Sequence, residues 1–362
     1  MTTRPHEAQA RQHRPAEVIP GLLLCLVLAL ASFVTYWVLK GTWVKFSALL
    51  WAFLYGIAVA NLVPTLAAGR FAAGVEVSGS RLLRISIALL GLTISASVWA
   101  RMGAVGVVVV LANLILTFVL GSLFCRYVLR MKGTLSVLLG VGTCICGATA
   151  IAATGPALHA REEELGLSVA AITLFGLAAM FAYPLLFAGI LGSWLGQSAA
   201  AYGIWTGMGV HETAQVIAAA SQVDGAVGMA VSAKSIRIFM IGPMIFVSQL
   251  LYHRLSTKPG EVVAVKFPIP WFAVAFVLFT VVNAAVERLP FAREWTSFND
   301  VFLKPAVTFL LVWAFVAVGL KVRISAIRAV GLKAFFGGMT IALAAGGSAL
   351  LLTKYAWLPF NR

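Results

Sequence analysis

Residues 134–154 read TLSVLLGVGTCICGATAIAAT, an apolar run that Gly140, Gly142 and Gly147 interrupt and that Pro156 follows. Glycine lets the backbone leave the helical conformation, and small hydroxyl side chains can satisfy backbone groups that a break sets free inside a membrane. The run therefore predicts a broken transmembrane helix, although close helix packing through small residues would favour the same composition. Four polar or thiol side chains lie around the expected break: Thr143, Cys144, Cys146 and Thr149.

The composition of the whole chain agrees with a membrane location. Of its 362 residues, 61% are hydrophobic and only 11% are charged, and the mean hydropathy is +0.97. Soluble domains contain about 25% charged residues. We therefore predict an all-α polytopic membrane protein, which excludes a soluble enzyme, a secreted disulfide scaffold and a nucleic-acid binder. The net charge of +15 comes mostly from basic residues between the apolar runs, where they orient the spans.

The apolar segments predict the number and orientation of the spans. A bilayer core about 30 Å thick needs about 20 apolar residues per helix. After a cytoplasmic tail at 1–18, eleven segments fit, within one transmembrane domain over 19–362. With the N-terminus inside, 16 basic residues fall in cytoplasmic segments and 9 fall outside, in agreement with the positive-inside rule. The predicted spans are 19–39, 46–65, 83–99, 104–129, 134–154, 165–190, 201–221, 226–252, 267–286, 302–320 and 330–352.

Two internal similarities suggest repeats. Gly91–Gly103 resembles Gly319–Gly331, and the two copies would have opposite orientations in the predicted topology. Such inverted repeats are typical of secondary transporters, although chance likeness between glycine-rich segments stays open. Ala148–Ala153 also resembles Ala214–Ala219, at an offset of 66 residues. In the predicted topology these shorter copies share one orientation, so either the topology is wrong there or the likeness is compositional.

A second glycine-rich run, 201–221, reads AYGIWTGMGVHETAQVIAAAS and places two ionisable residues deep in a predicted span. Gly209 precedes His211 and Glu212, which predicts another break, and Gln215 follows His211 on the same helix face. Ionisable groups within a membrane are costly and indicate function by default. A turn near the membrane surface, where such groups cost little, is the alternative.

Two cations, Lys234 and Arg237, lie within the next predicted span, 226–252. Their spacing of three residues puts them on one helix face. Each costs about 2.5–3.5 kcal/mol at the centre of a membrane helix. We therefore expect them to face a cavity or a partner, with Glu212 neutralising one and the other available to an anion. Snorkelling toward the membrane surface is the alternative.

No catalytic motif accompanies these residues. His211 is followed by Glu-Thr-Ala-Gln, so the second histidine of a HExxH protease is absent, and so are GxSxG and P-loop motifs. Cys144 and Cys146 have no second cluster with which to complete a zinc site. We expect neither an enzyme nor an ATP-driven pump, and neither a metal nor a cofactor.

Several motifs together resemble one known family. They are GTCICGATAIAATGPAL from Gly142, GMGVHETAQVIAAA from Gly207 and AKSIRIFMIGPMIF from Ala233. With these motifs, the chain is similar to the bacterial sulfate-exporter family of YeiH-like conserved membrane proteins. The resemblance implies an inner-membrane protein of ten or eleven spans, related in fold to bile-acid symporters and cation/proton antiporters, with inverted repeats and crossing broken helices. Cys144 and Gly209 depart from the hydroxyl residues that the family pattern implies there.

The resulting functional prediction is a proton-coupled secondary transporter that exports a small anion, sulfate or sulfite. Lys234 and Arg237 would attract the anion, and His211 or Glu212 would carry the proton. A cation/proton antiporter and an organic-anion symporter of the same fold are the alternatives, and Na⁺ coupling and a homodimer stay open. The other residues assigned to the anion site are Gly142, Thr143, Cys144, Gly147, Thr149, Gly209 and Gln215.

Overall fold

The computed structural model describes residues 15–39, 46–255, 271–325 and 330–360, and it contains helices and turns but no strand in these ranges. Five described helices are long and apolar enough to cross a membrane, or seven if each of two bent pairs is one span. The predicted all-α polytopic class is thereby confirmed. The first 14 residues of the predicted tail and the start of the predicted span 267–286 lie outside the described residues. The count of ten or eleven spans stays a prediction.

Seventeen α-helices follow one another in the described residues. They are α1 (Pro15–Leu39), α2 (Ala48–Leu62), α3 (Ala72–Val77), α4 (Leu83–Leu90), α5 (Ala96–Leu123), α6 (Gly133–Cys144), α7 (Ala148–Thr154), α8 (Glu162–Leu186), α9 (Gly192–Trp194), α10 (Ala199–Gly209), α11 (Thr213–Ala220), α12 (Val227–Phe239), α13 (Ile241–Leu255), α14 (Trp271–Val286), α15 (Ala292–Phe298), α16 (Lys304–Leu320) and α17 (Leu332–Leu352).

The described chain divides into two compact units, where the sequence predicted one domain over 19–362. The first unit contains α1–α3, α4 up to Ile87, and α16, and its helices approach closely through small residues. A Cβ placed on Gly56 would lie 2.8 Å from the Cα of Gly319, so α2 and α16 are in backbone contact there. Such small-residue contacts are typical of helices that pack within a membrane.

The second unit contains α5–α15 and α17 and holds every residue predicted for the functional site. One apolar cluster of this unit lies among α5, α6, α8 and α13, with Phe118, Leu138, Ile172 and Ile245 as members. A buried polar contact joins α5 to α17, because Asn113 donates to the Ala345 carbonyl at 3.1 Å. These contacts provide the frame around the two broken helices.

The predicted spans 83–99 and 104–129 are divided differently in the structure. Helix α4 ends at Leu90, and α5 begins only at Ala96, after a bend. Within α5, Gly103 has φ of +57° and interrupts the helical backbone. Polar contacts stabilise the bend, since Ser95 caps α5 and Asn283 donates to the Ile94 carbonyl at 3.1 Å.

The segment 134–154 is a hairpin rather than the membrane crossing predicted above. Helices α6 and α8 run side by side in the same direction: Leu135 and Leu167, near their first residues, line one cavity. Farther along, a Cβ on Gly142 would lie 2.7 Å from Ile172 and 2.8 Å from Ile151 of α7. Since α6 and α8 begin at the same end, the chain between them must return to that end. Residues 133–161 therefore form a re-entrant segment, here called the first hairpin.

The segment 201–221 likewise folds back on itself. Helices α10 and α12 are parallel, because Gly203 of α10 contacts Met229 of α12 and Gly207 contacts Ala233. The Tyr202 hydroxyl at the start of α10 donates to the Ala219 carbonyl at the end of α11, at 2.9 Å. Residues 199–226 thus form the second hairpin, and the predicted crossing at 201–221 is wrong for the same reason as the first.

The two hairpins open at opposite ends of the second unit. A continuous helical stretch from Glu162 to Trp194 begins where the first hairpin opens and ends five residues before the second one starts at Ala199. The similar segments Ala148–Ala153 and Ala214–Ala219 therefore run in opposite directions, as an inverted repeat requires. The predicted topology was wrong at this point. The longer repeat stays a prediction, because its second copy includes residues 326–329, which are not described.

Candidate functional site

The tips of the two hairpins meet inside the second unit. The first tip lies between α6 and α7, and Gly147 there has φ of +77° and ψ of −129°. Only glycine adopts this backbone conformation readily. A Cβ on Gly147 would lie 2.5 Å from the Cγ of Glu212, which belongs to the second tip, between α10 and α11. Glycine at this position therefore permits both the turn and the close approach of the tips.

Arg237 of α12 joins the two tips through backbone carbonyls. Its side chain is 0% exposed. The Nε donates to the Cys144 carbonyl at 2.6 Å and the Nη2 to the Thr143 carbonyl at 2.5 Å, both at the end of α6. The Nη1 donates at 2.9 Å to the carbonyl of Gly207, and also to that of Met208, at the end of α10. The last carbonyls of a helix lack partners within it and carry partial negative charge, so the guanidinium compensates two helix ends at once.

Lys234 acts in the same way one turn earlier in α12. Its side chain is fully buried, and its Nζ donates to the carbonyls of Val210, at 3.0 Å, and His211. Both carbonyls lie in the break of the second hairpin. The cations thus have partners inside the protein, as expected, but the hydrogen bonds described here end on backbone oxygens rather than on Glu212. Neither cation snorkels toward the membrane surface.

Glu212 is the ionisable residue of the predicted site that is partly exposed, whereas His211, Lys234 and Arg237 are fully buried. It caps α11 reciprocally with Gln215: its side chain accepts from the Gln215 backbone, and its own amide donates to the Gln215 side chain at 3.3 Å. The Thr173 hydroxyl donates to the Glu212 carboxylate at 3.2 Å. The carboxylate is therefore held in place at the junction of the two tips.

The remaining predicted residues fall into three groups. Thr149 of α7 is exposed, and Cys146, which was not among the predicted site residues, is half-buried in the first tip. Thr143 and Cys144 are fully buried, and they meet Arg237 through their carbonyls rather than their side chains. Gly142 and Gly209 serve packing: a Cβ on Gly142 would meet Ile151 and Ile172, and one on Gly209 would meet the Tyr183 ring.

Sequence reasoning missed Thr173 and Tyr183, which both lie on α8. Besides binding Glu212, Thr173 accepts at its carbonyl from the Gln215 side chain at 3.3 Å. Tyr183 stacks on Trp205 with ring centroids 4.2 Å apart, directly behind the second tip. The feature of the sequence that could have indicated these two residues is a hydroxyl or phenol group within an apolar run. That feature is common in membrane helices and did not distinguish these residues.

The formal charges of the side chains at the tips do not cancel. Lys234 and Arg237 contribute two formal positive charges and Glu212 one negative charge, which leaves a formal excess of +1. Part of this excess is offset by the partial negative charge at the ends of α6 and α10. The partly exposed carboxylate of Glu212 lies beside the first tip, at Gly147. The arrangement thus combines a partly exposed carboxylate with two buried basic side chains.

Comparison with known proteins identifies the family. The family model described as conserved hypothetical protein 698 matches residues 20–338. A UPF0324 membrane protein of Pseudomonas aeruginosa is 36% identical over 325 residues, which cover 88% of each chain. The UPF0324 inner membrane protein YeiH of Salmonella typhimurium is 33% identical over 337 residues, which cover 92% of this chain and 93% of the relative. The chain therefore belongs to the family of conserved hypothetical protein 698, together with the UPF0324 membrane proteins.

Proposed function

We propose that the protein is a secondary transporter of the bacterial inner membrane that moves a small anion in a proton-coupled cycle. The observation that supports it is the meeting of two oppositely directed hairpins at buried cations and an accessible carboxylate. Broken helices that meet within an inverted repeat are the usual construction of a substrate site in secondary transporters. The inner-membrane location is proposed from the relatives, which are named as inner membrane proteins.

In this proposal the charged residues have separate roles. Lys234 and Arg237 hold the tips together and supply the positive charge that favours an anion. The anion binds on the accessible side, near Cys146, Thr149 and Glu212. Glu212 carries the coupling proton, because it is the partly exposed ionisable group and protonation removes a negative charge beside the anion. The fully buried His211 is the less suitable proton carrier of the two.

The test is the flux of radiolabelled sulfate and of sulfite in proteoliposomes, with and without a pH gradient. We expect anion flux that follows the gradient in the unaltered protein. Glu212→Gln should abolish the dependence on the gradient, because the coupling group no longer titrates. Glu294→Gln, which removes an exposed carboxylate from α15, should leave both flux and coupling unchanged. Coupled flux that persists in Glu212→Gln would contradict the role of Glu212, and absence of any sulfate or sulfite flux would contradict the substrate.

One observation favours a second candidate, a cation/proton antiporter. The hydrogen bonds described for Lys234 and Arg237 end on backbone carbonyls, so Glu212 is the ionisable side chain that faces the accessible side. A carboxylate in that position also suits a cation that competes with a proton. The same proteoliposomes distinguish the two functions: proton movement driven by Na⁺ or K⁺ in the absence of a permeant anion would favour the antiporter.

A further inference from the structure

A basic cavity of about 240 Å³ lies at the end of the second unit where the first hairpin opens. Three helices begin at this cavity. Lys132 precedes α6, Arg161 precedes α8, and Lys333 is the second residue of α17. The lining residues, here called the basic pocket, are Arg130, Met131, Lys132, Leu135, Arg161, Glu163, Glu164, Leu167 and Lys333. None of the groups assigned to transport above belongs to it.

The cations of the basic pocket differ in whether they form an ion pair with a carboxylate. Arg161 lies 3.8 Å from the carboxylates of both Glu163 and Glu164, and Glu164 also accepts from the Arg161 amide at 3.1 Å. Within the described residues, Arg130, Lys132 and Lys333 form no ion pair with a carboxylate. Three exposed cations from two separate parts of the chain therefore converge on one cavity, and the positive ends of α6 and α17 add to their field.

The surroundings of the basic pocket indicate what kind of anion would bind there. Large apolar side chains of the same segments are exposed, among them Tyr127 (66%), Leu332 (76%) and Phe336 (45%). In a membrane protein such side chains face lipid. The cavity thus lies where an apolar surface meets a cluster of cations. A ligand with a phosphate group and acyl chains can contact both surfaces, whereas a free anion contacts only the cations.

We propose that the basic pocket binds the phosphate headgroup of an anionic phospholipid, with its acyl chains beside Tyr127 and Phe336. Basic pockets between membrane helices hold such headgroups, because cations near the membrane surface attract anionic lipid. The bound lipid would connect the starts of α6, α8 and α17 and thereby stabilise the base of the first hairpin. This inference does not depend on the transported substrate.

The test is thermal unfolding of the purified full-length protein in detergent, with added lipid. Phosphatidylglycerol should raise the melting temperature, and phosphatidylcholine should not, because its headgroup has no net charge. The variant R130Q/K333Q should lose at least half of the shift, and the charge-preserving variant R130K/K333R should retain most of it. The control R288Q/R293Q removes two exposed cations outside the pocket and should retain the full shift.

Three outcomes would overturn the proposal. The first is an equal shift with phosphatidylcholine. The second is a full phosphatidylglycerol shift in R130Q/K333Q. The third is an equal shift with inorganic phosphate or glycerol phosphate at matched phosphate concentration, which would assign the pocket to a soluble anion. Native mass spectrometry of the same samples gives an independent measurement: R130Q/K333Q should retain one phosphatidylglycerol fewer than the control variant.

Discussion

Two buried cations of the second unit act on the backbone rather than on acidic side chains. Arg237 donates to carbonyls at the ends of α6 and α10, and Lys234 donates to carbonyls in the second break. A helix end carries a charge equivalent to about −0.5, and a lone buried cation is strongly unfavourable. When one guanidinium donates to two such helix ends, the free-energy cost of burying the cation falls. The cost of leaving the helix-end carbonyls unpaired falls as well. At the residue scale, therefore, α12 supplies the charges that allow two broken helices to end inside the protein.

Arg237 should accordingly be needed for stability as well as for transport. Arg237→Gln would leave several buried carbonyls without a charged donor, and we expect it to lower the free energy of unfolding by about 3–5 kcal/mol. Thermal unfolding of the purified protein, followed by size-exclusion chromatography, measures the change. Arg288→Gln, at an exposed position, is the control and should unfold like the unaltered protein. If Arg237→Gln were as stable as the control, Arg237 would not hold the tips.

Gly147 offers a second test at the residue scale. Its φ of +77° and its distance from Glu212 both oppose a side chain, so Gly147→Ala should destabilise the protein by about 1–3 kcal/mol. Gly166 of α8 is the matched control, because a Cβ there would meet nothing within 4 Å. Gly166→Ala should be neutral or slightly stabilising in the same unfolding assay. Equal stability of the two variants would show that the tips can separate at little cost.

At the scale of elements, the lengths of the broken helices show why these segments turn back inside the membrane. Helix α6 has 12 residues, so it is only about 18 Å long and cannot cross a hydrocarbon core of about 30 Å. The chain returns through α7, whose Ile151 packs on Gly142 of α6. Helices α10 and α11 repeat this arrangement from the other end. Backbone that leaves the helix is thus buried in protein, as membrane depth requires.

The hairpin topology predicts a specific labelling pattern. Single cysteines at Lys132→Cys and Glu162→Cys should react with a membrane-impermeant maleimide from one side of the membrane. Ser193→Cys and Asp224→Cys should react from the other side, because the second hairpin opens there. The native cysteines are replaced by serine, and intact cells are compared with inverted vesicles. Reaction of the first two positions from opposite sides would show that residues 133–161 cross the membrane.

At the scale of the whole molecule, the distribution of basic residues predicts the orientation of the second unit. Arg130, Lys132, Arg161 and Lys333 line one end, whereas the turns 192–198 and 222–226 at the other end contain no basic residue. The positive-inside rule assigns the basic end to the cytoplasm. Helix α17 starts at this end and leads toward the other, where Lys354 donates to the Trp194 carbonyl. The C-terminus is therefore expected outside the cytoplasm.

Reporter fusions test this orientation. Alkaline phosphatase fused after Arg362 should be active, because it would lie outside the cytoplasm, and green fluorescent protein at the same site should not fluoresce. Fusions after Val330 precede α17 and should give the reverse pattern. Fluorescence from both fusion sites would place the C-terminus in the cytoplasm and contradict the assignment.

The amino-acid sequence by itself determined the membrane class and the approximate limits of the long helices α1, α2, α8, α16 and α17, and its glycine clusters lie at both breaks. These properties are local, because apolar length, glycine clusters and interrupted periodicity can be read along the chain. The sequence also singled out Glu212, Lys234 and Arg237, because charges within apolar runs are rare. The similarity of Ala148–Ala153 to Ala214–Ala219 was visible in the sequence. The predicted topology gave the two segments the same orientation, so it did not identify them as an inverted repeat.

Only the tertiary structure decided that the two broken segments turn back instead of crossing, and that the buried cations bind carbonyls. A hairpin and a crossing have the same hydropathy, so composition does not distinguish them. The direction of the chain depends on the packing of Ile151 on Gly142 and of Tyr202 on the end of α11. Arg237 and Cys144 are 93 residues apart, and no local pattern places a guanidinium on that carbonyl. Long-range packing fixes these partners because a buried cation donates to whichever carbonyl oxygens the fold brings within reach.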